Sequence, residues 1–165
     1  MNLSESTFEE LYKSTVLAFP NTTMRQHAVQ PLVVEELRWV PFVGMKTLFI
    51  KGTVRNEDRQ YGPVLLIKDV DYTGNELKIT ASDGLEYQMN KLSLENSEVL
   101  VRCSCPDFSW RFNYYNHLDS SLYGKKRKKY EHKGGLAANP KQLPGLCKHL
   151  IKLISSVHDA GVFHD

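Results

Sequence analysis

The chain has three cysteines, and two of them lie one residue apart in VRCSCPDFSWRF (101–112). The third lies one residue before a histidine in GLCKHLIKLI (145–154). The full pattern is Cys103-x-Cys105, 41 intervening residues, then Cys147-x-His149. An odd number of cysteines leaves one thiol over in any disulfide scheme, which points to metal or to packing. Three sulfurs and one imidazole make four ligands, the number that closes a tetrahedral structural zinc site. A fold that obeys this pattern must bring two distant segments to one point.

Other readings of the same residues exist. Each cysteine could be a small buried apolar side chain. His117, His132, His158 and His164 are alternatives to His149 as the fourth ligand. The order of the two pairs, one after a strand and one at a helix start, favours Zn2+ held by Cys103, Cys105, Cys147 and His149. A Cys-x-Cys pair aims both sulfurs at one point if the backbone curls between them, and Ser104 is small enough to allow it. Cys147 and His149 fall in the first turn of the last helix, where unpaired N–H groups favour a thiolate.

The remaining pattern predicts an α+β fold. Residues 5–18 have helical spacing, with Phe8, Leu11, Tyr12 and Leu17 near one face. Ser6 with Glu9, and Thr7 with Glu10, each fit a capping box. Residues 22–31 are polar and without period and read as an arm. Short runs rich in branched residues follow at 47–55, 63–72 and 97–105, and the 33–42 run reads as strand or short helix. Asp83-Gly84 marks a hairpin. A helix over about 107–117, a long basic loop and a final helix closed by Gly161 complete the chain. The expected organisation is an N-terminal helix and arm (1–32), an antiparallel β region (33–98) and a C-terminal zinc-stapled β-hairpin/helix module with a basic insertion (99–165).

VRCSCPDF and LCKHLIKLI together resemble the SWIM zinc finger, over about residues 99–155. The resemblance implies a β-hairpin carrying the first pair, a helix carrying the second, and a role in DNA binding or protein contacts. The spacer here is much longer than is usual in that family. The order of segments along the whole chain is also similar to small tailed-bacteriophage proteins of unassigned role, which implies a virion component or a part of phage DNA handling.

Charge is segregated. Residues 102–152 hold 11 Lys and Arg against 3 Asp and Glu, while residues 1–101 hold 10 against 14. The densest run is 125-KKRKKYEHK-133, and Lys125, Lys126, Arg127, Lys128, Lys129 and Lys133 are the expected phosphate contacts. Lys141, Lys148 and Lys152 could extend the patch. A solvated loop or a nuclear-localisation tract would show the same run. Five aromatics follow the first cysteine pair, and most are expected in the core, with Tyr115 the one assigned to ligand contact.

No phosphate loop, dinucleotide fingerprint or oriented nucleophile is present, so no enzyme is expected. Asp69 and Asp71 could hold a nuclease metal, but exposed strand carboxylates are commoner than nuclease centres. The N-terminal MNLSESTFEELYK lacks a basic stretch followed by an apolar one, and no apolar run reaches spanning length. An intracellular, cytoplasmic setting, or a virion, is expected, with no membrane partner. The expected function is a non-catalytic nucleic-acid-binding module, most simply for DNA. A protein assembly is the competing class.

Overall fold

Period-two runs of branched residues in the middle of the chain build the sheet on which everything else packs. The computed structural model describes residues 6–19, 32–128 and 139–165. Among the described residues seven strands are formed: β1 (Leu32–Phe42), β2 (Thr47–Asn56), β3 (Arg59–Tyr61), β4 (Val64–Ile67), β5 (Leu77–Thr80), β6 (Glu86–Met89) and β7 (Val99–Arg102). Four helices are described: α1 (Phe8–Ala18), α2 (Pro106–Arg111), α3 (Asn113–Leu118) and α4 (Lys148–Asp159). The fold is α+β, and every strand pair is antiparallel. No described helix is long and apolar enough to cross a membrane.

The larger sheet runs β1-β2-β4-β7, with β3 also paired to β2. Its inner face is the alternate residues Leu48, Ile50 and Val54 of β2, Leu65 and Ile67 of β4, and Val99 and Val101 of β7, all fully buried. β1 is strand throughout, and Pro41 is tolerated there because β1 is an edge strand paired only to β2. β5 and β6 form a separate hairpin whose turn places Gly84 at φ 83°. The partner of β7 is β4, so this strand pair closes through the β5–β6 hairpin and not through a tight turn.

Some predicted elements are shorter than their sequence runs. The 63–72 run pairs only as far as Ile67, because Asp69 turns into the left-handed region at φ 56°. The 107–117 helix is two short ones that meet at Phe112, where φ is −120°. α1 begins as expected, with Thr7 Oγ1 accepting from the Glu10 N–H at 3.3 Å. Its buried face is Phe8, Leu11, Thr15 and Ala18, whereas Tyr12 and Leu17 are exposed.

One hydrophobic cluster joins α1, the sheet, α2 and α4. α4 crosses β1 and β2 and comes close to the sheet at Gly52, where an added Cβ would lie 2.7 Å from Leu153 Cδ1. Glycine at this point is what lets the helix approach. Gly161 closes α4 at φ 85°. Leu153 is fully buried at that crossing. Leu153→Ala is expected to cost about 2–5 kcal/mol, read as a lower urea midpoint with an unchanged slope.

Candidate metal centre

β7 delivers the first pair of ligands by simple alternation. Val99, Val101, Cys103 and Cys105 are all buried, while Leu100, Arg102 and Ser104 are less so. The two-residue period therefore turns both sulfurs inward. The chain then bends at Cys105, which is the N-cap of α2. Cys105 Sγ accepts from the Phe108 N–H at 3.3 Å. Ser104 faces the other way, and its Oγ accepts from the Gly62 N–H at 2.9 Å. That bond ties the bend to the β3–β4 connection.

The second pair arrives on the start of α4. Cys147 is its N-cap, and His149 is its second residue. The approach to Cys147 is held by buried polar side chains from two other helices. Asn116 Nδ2 donates to Gly145 O at 3.1 Å, and the Gly145 N–H donates to Asn116 Oδ1 at 2.8 Å. The Leu146 N–H donates to Thr15 Oγ1 at 2.8 Å, and Ser14 Oγ donates to Pro144 O at 2.7 Å. A Cβ at Gly145 would fall 2.5 Å from Phe112 Cε1 and 2.6 Å from Thr15 Oγ1. Only glycine fits between α1 and α3 at this point.

The four predicted ligands converge. One ligand atom from each of Cys103, Cys105, Cys147 and His149 lies within 4.8 Å of all the others, and all four residues are buried. Ligand atoms around a tetrahedral zinc lie roughly 3.5–4 Å apart. His149 packs against the Tyr61 ring at 4.7 Å, and neither ring nitrogen has a hydrogen-bond partner. A buried imidazole with no partner is costly unless it binds something. The cysteines are free thiols. These features fit a soft divalent cation, and Zn2+ best of all, because three thiolates and one imidazole match its preference and fill its four positions.

The other histidines among the described residues are elsewhere. His117 and His164 are exposed, and His158 lies against Phe163 with ring centroids 6.3 Å apart. His132 lies outside the described residues.

The electrostatics of the bare cluster also call for a cation. Hydrogen bonds from Cys103 and Cys147 hold the Cys105 thiol far below its ordinary value. Cys103 is pushed well above its own, first by its hydrogen bond to Cys105. Cys147 is pushed up by burial first, then by the neighbouring sulfurs. A bound dication would favour the thiolate form of all three.

The basic run is tied to segments that flank the first cysteine pair. Lys125, Lys126, Arg127 and Lys128 are all exposed. Their backbone is pinned at two points. Arg102, next to Cys103, donates from Nη1 to Tyr123 O at 3.2 Å and to Lys125 O at 2.6 Å. The Arg127 N–H donates to Asn113 Oδ1 on α3 at 2.7 Å. Lys129 and Lys133 lie outside the described residues, as does the 22–31 arm. Lys141 is engaged elsewhere, donating to Leu17 O at the end of α1 at 2.7 Å. Lys148 is partly buried at the start of α4, and Lys152 is exposed further along it.

Two further expectations change. Tyr115 is buried at 8% exposure, whereas Trp110 is 52% exposed, so the surface aromatic of this segment is Trp110. Asp71 is occupied in a turn, accepting from the Thr73 N–H at 2.9 Å and from Asn90 Nδ2 at 3.0 Å. The clamps Asn116, Asn113 and Thr15 carry no sequence signature, because polar residues in helices read as surface.

Comparison of the chain with protein-family models, with curated proteins and with solved structures found no match to any of them.

One zinc per chain is expected on elemental analysis of purified protein, and Cys147→Ser should lose most of it along with thermal stability. Structural zinc contributes on the order of 10 kcal/mol in small peptides.

The pH response separates the two forms. In zinc-free protein Cys103 and Cys147 keep protons that the unfolded chain releases above about pH 8.5, so stability falls as pH rises past that value. Cys105 acts oppositely, because its lowered value adds stability as pH rises toward about 8.5. The chelated protein should therefore show its highest denaturation midpoint near that pH. The zinc-loaded protein should show no alkaline decline of this origin, and should lose stability in acid as protons displace the ion.

Proposed function

We propose that the chain is a zinc-stabilised, non-catalytic nucleic-acid-binding module of the SWIM type, with DNA its expected ligand. The observation that carries this reading is the position of the basic run. Four exposed cations stand on a backbone anchored to Arg102 and Asn113, on either side of the first cysteine pair. A charge run that served only solubility would need no such anchoring. Phosphate contacts from these side chains would release counterions from the polyanion. The SWIM likeness is supported by the elements that carry each pair, a strand end for Cys103 and Cys105 and a helix start for Cys147 and His149. A non-catalytic metal follows from the ligand count, since four protein ligands leave no position for water or substrate.

A second reading is a structural assembly protein, for example a virion component, in which zinc only keeps the shape. The β1–β2 turn favours it: Phe42, Val43 and Met45 are 44%, 49% and 76% exposed at the tip of the hairpin. An apolar tip of this kind suits burial against another protein.

Binding to DNA, measured by fluorescence anisotropy, should weaken as salt rises, with a log–log slope near −0.9 per duplex phosphate contacted. Reversing Lys125, Lys126 and Lys128 to Glu should abolish it without loss of zinc. Absence of binding to any polyanion at low salt would sink the first reading. A closed oligomer in light scattering, with that absence, would decide for assembly.

A further inference from the structure

Strand register assembles a second set of cations, on the face of the larger sheet that points away from the core. Ile50, Leu65 and Val101 are buried on the inner face, so their neighbours Lys51, Val64 and Arg102 point outward. The register sets these side by side. Arg38 of β1 pairs with Lys51 of β2, Lys51 with Val64 of β4, and Val64 with Arg102 of β7. One line perpendicular to the strands therefore carries three cations across four strands. Three strand spacings make it about 14 Å long. Arg38 and Lys51 are exposed, and the outward residues Phe49, Thr53, Leu66 and Leu100 around them are half-buried, so this face is not closed over. α4 crosses the opposite face, at Gly52.

The line runs into the basic run. Arg102 Nη1 donates to Tyr123 O and to Lys125 O. The Tyr123 ring rests on outward-facing Phe49, with centroids 5.4 Å apart. The segment that begins the basic run thus lies on the outer face of the sheet. The three cations of the line differ in state. Lys51 makes no ion pair with any described residue. Arg102 donates to neutral carbonyls, which leave its charge uncompensated. Arg38 Nε lies 3.0 Å from Glu36 Oε1, with both side chains more than half exposed. An exposed pair of this kind holds its partners only weakly. Arg55, further along β2, is paired with Glu35 at 3.1 Å.

We propose that the line Arg38, Lys51 and Arg102 is a phosphate track, on which the backbone of a DNA duplex lies across the sheet and continues onto the exposed cations at 125–128. The proposal rests on the nucleic-acid reading above and adds a contact surface to it. A span of about 14 Å corresponds to about four base-pair steps along one strand. Phosphates stand on the outside of a duplex, so an open face reaches them without a groove or pocket. The duplex holds them in a stiff row, and a straight row of cations meets more than one at once. A flexible acidic peptide has no fixed charge spacing for the register to match.

The test uses the zinc-loaded full chain, a mixed-sequence duplex as probe, and anisotropy titrations over a range of salt. Lys51→Gln should weaken binding roughly five- to ten-fold at 0.1 M salt and lower the log–log salt slope by about 0.9. Glu36→Gln should act in the opposite direction, tightening binding about two-fold, because Arg38 then faces phosphate without a competing carboxylate. Lys13→Gln removes the same charge from α1, which packs with the inner face, and should change affinity less than about two-fold. Unchanged zinc content and denaturation midpoint show that each variant is folded. The track is overturned, and the nucleic-acid reading kept, if Lys51→Gln and Glu36→Gln do not move affinity in opposite directions, or if Lys51→Gln costs no more than Lys13→Gln. It is overturned likewise if polyglutamate displaces the duplex at equal charge concentration. No binding of the duplex at low salt would overturn the track and the nucleic-acid reading together.

Discussion

Three thiols and an imidazole buried within 4.8 Å of one another are the constraint around which the fold is organised. Left bare, such a cluster combines an unpartnered imidazole with three crowded, buried thiols. Polar groups in that state destabilise an interior. The remaining structure nevertheless works to produce it. The end of a strand directs two sulfurs inward, and the first turn of the following helix supplies an N–H, that of Phe108, to one of them. Asn116 and Thr15, both fully buried, spend their hydrogen-bonding groups on the backbone just before Cys147. So much buried polar structure supports a site positioned to bind a metal ion, and the donor set fits zinc best.

The spacing between the two pairs is less demanding than it looks. Closing a loop becomes harder only with the logarithm of its length, about 0.6 kcal/mol for each doubling. A long spacer therefore costs little against a structural metal, and it can carry structure of its own. Here it carries α2 and α3, which supply Phe108 and Phe112 to the core and Asn116 to the second half-site. α1 joins the same arrangement from the opposite end of the sequence through Ser14 and Thr15. The first helix is thus a support for the metal centre, a role that no local pattern in its sequence announces.

What could be read from the sequence was whatever depends on near neighbours. Thr7 with Glu10, Asp83-Gly84, Gly161 and the two cysteine pairs each act within a few residues, and the structure contains all of them in the expected form. What could not be read depends on partners far along the chain. Thr15 looks like a solvent residue because the donor to its Oγ1, the Leu146 N–H, lies 131 positions away. Leu17 looks like core, yet α1 turns its Thr15 side inward and leaves Leu17 at 62% exposure. Lys141 was expected near the basic patch, and it instead donates to the Leu17 carbonyl near the end of α1. The aromatic run shows the same division. Composition predicts that most of it is core, but only the register set by Phe108 and Phe112 decides that Trp110 and not Tyr115 is left at the surface.

On the proposed nucleic-acid reading, the metal and the basic run would act as one device. Lys and Arg side chains lose conformational freedom on binding, and a backbone that is free as well would add to that loss. Arg102 and Asn113 remove the backbone part in advance by fixing the carbonyl of Lys125 and the N–H of Arg127. Both anchors sit on segments continuous with Cys103 and Cys105, so their separation is only as firm as the bend between β7 and α2. That bend is held by Ser104 on one side and by the sulfur cluster on the other. A cation that closes the cluster therefore fixes the spacing of charges it never touches. On the proposed nucleic-acid reading, a metal with no free coordination position would thus bear on recognition by setting the geometry of the surface and not by contact with what binds there.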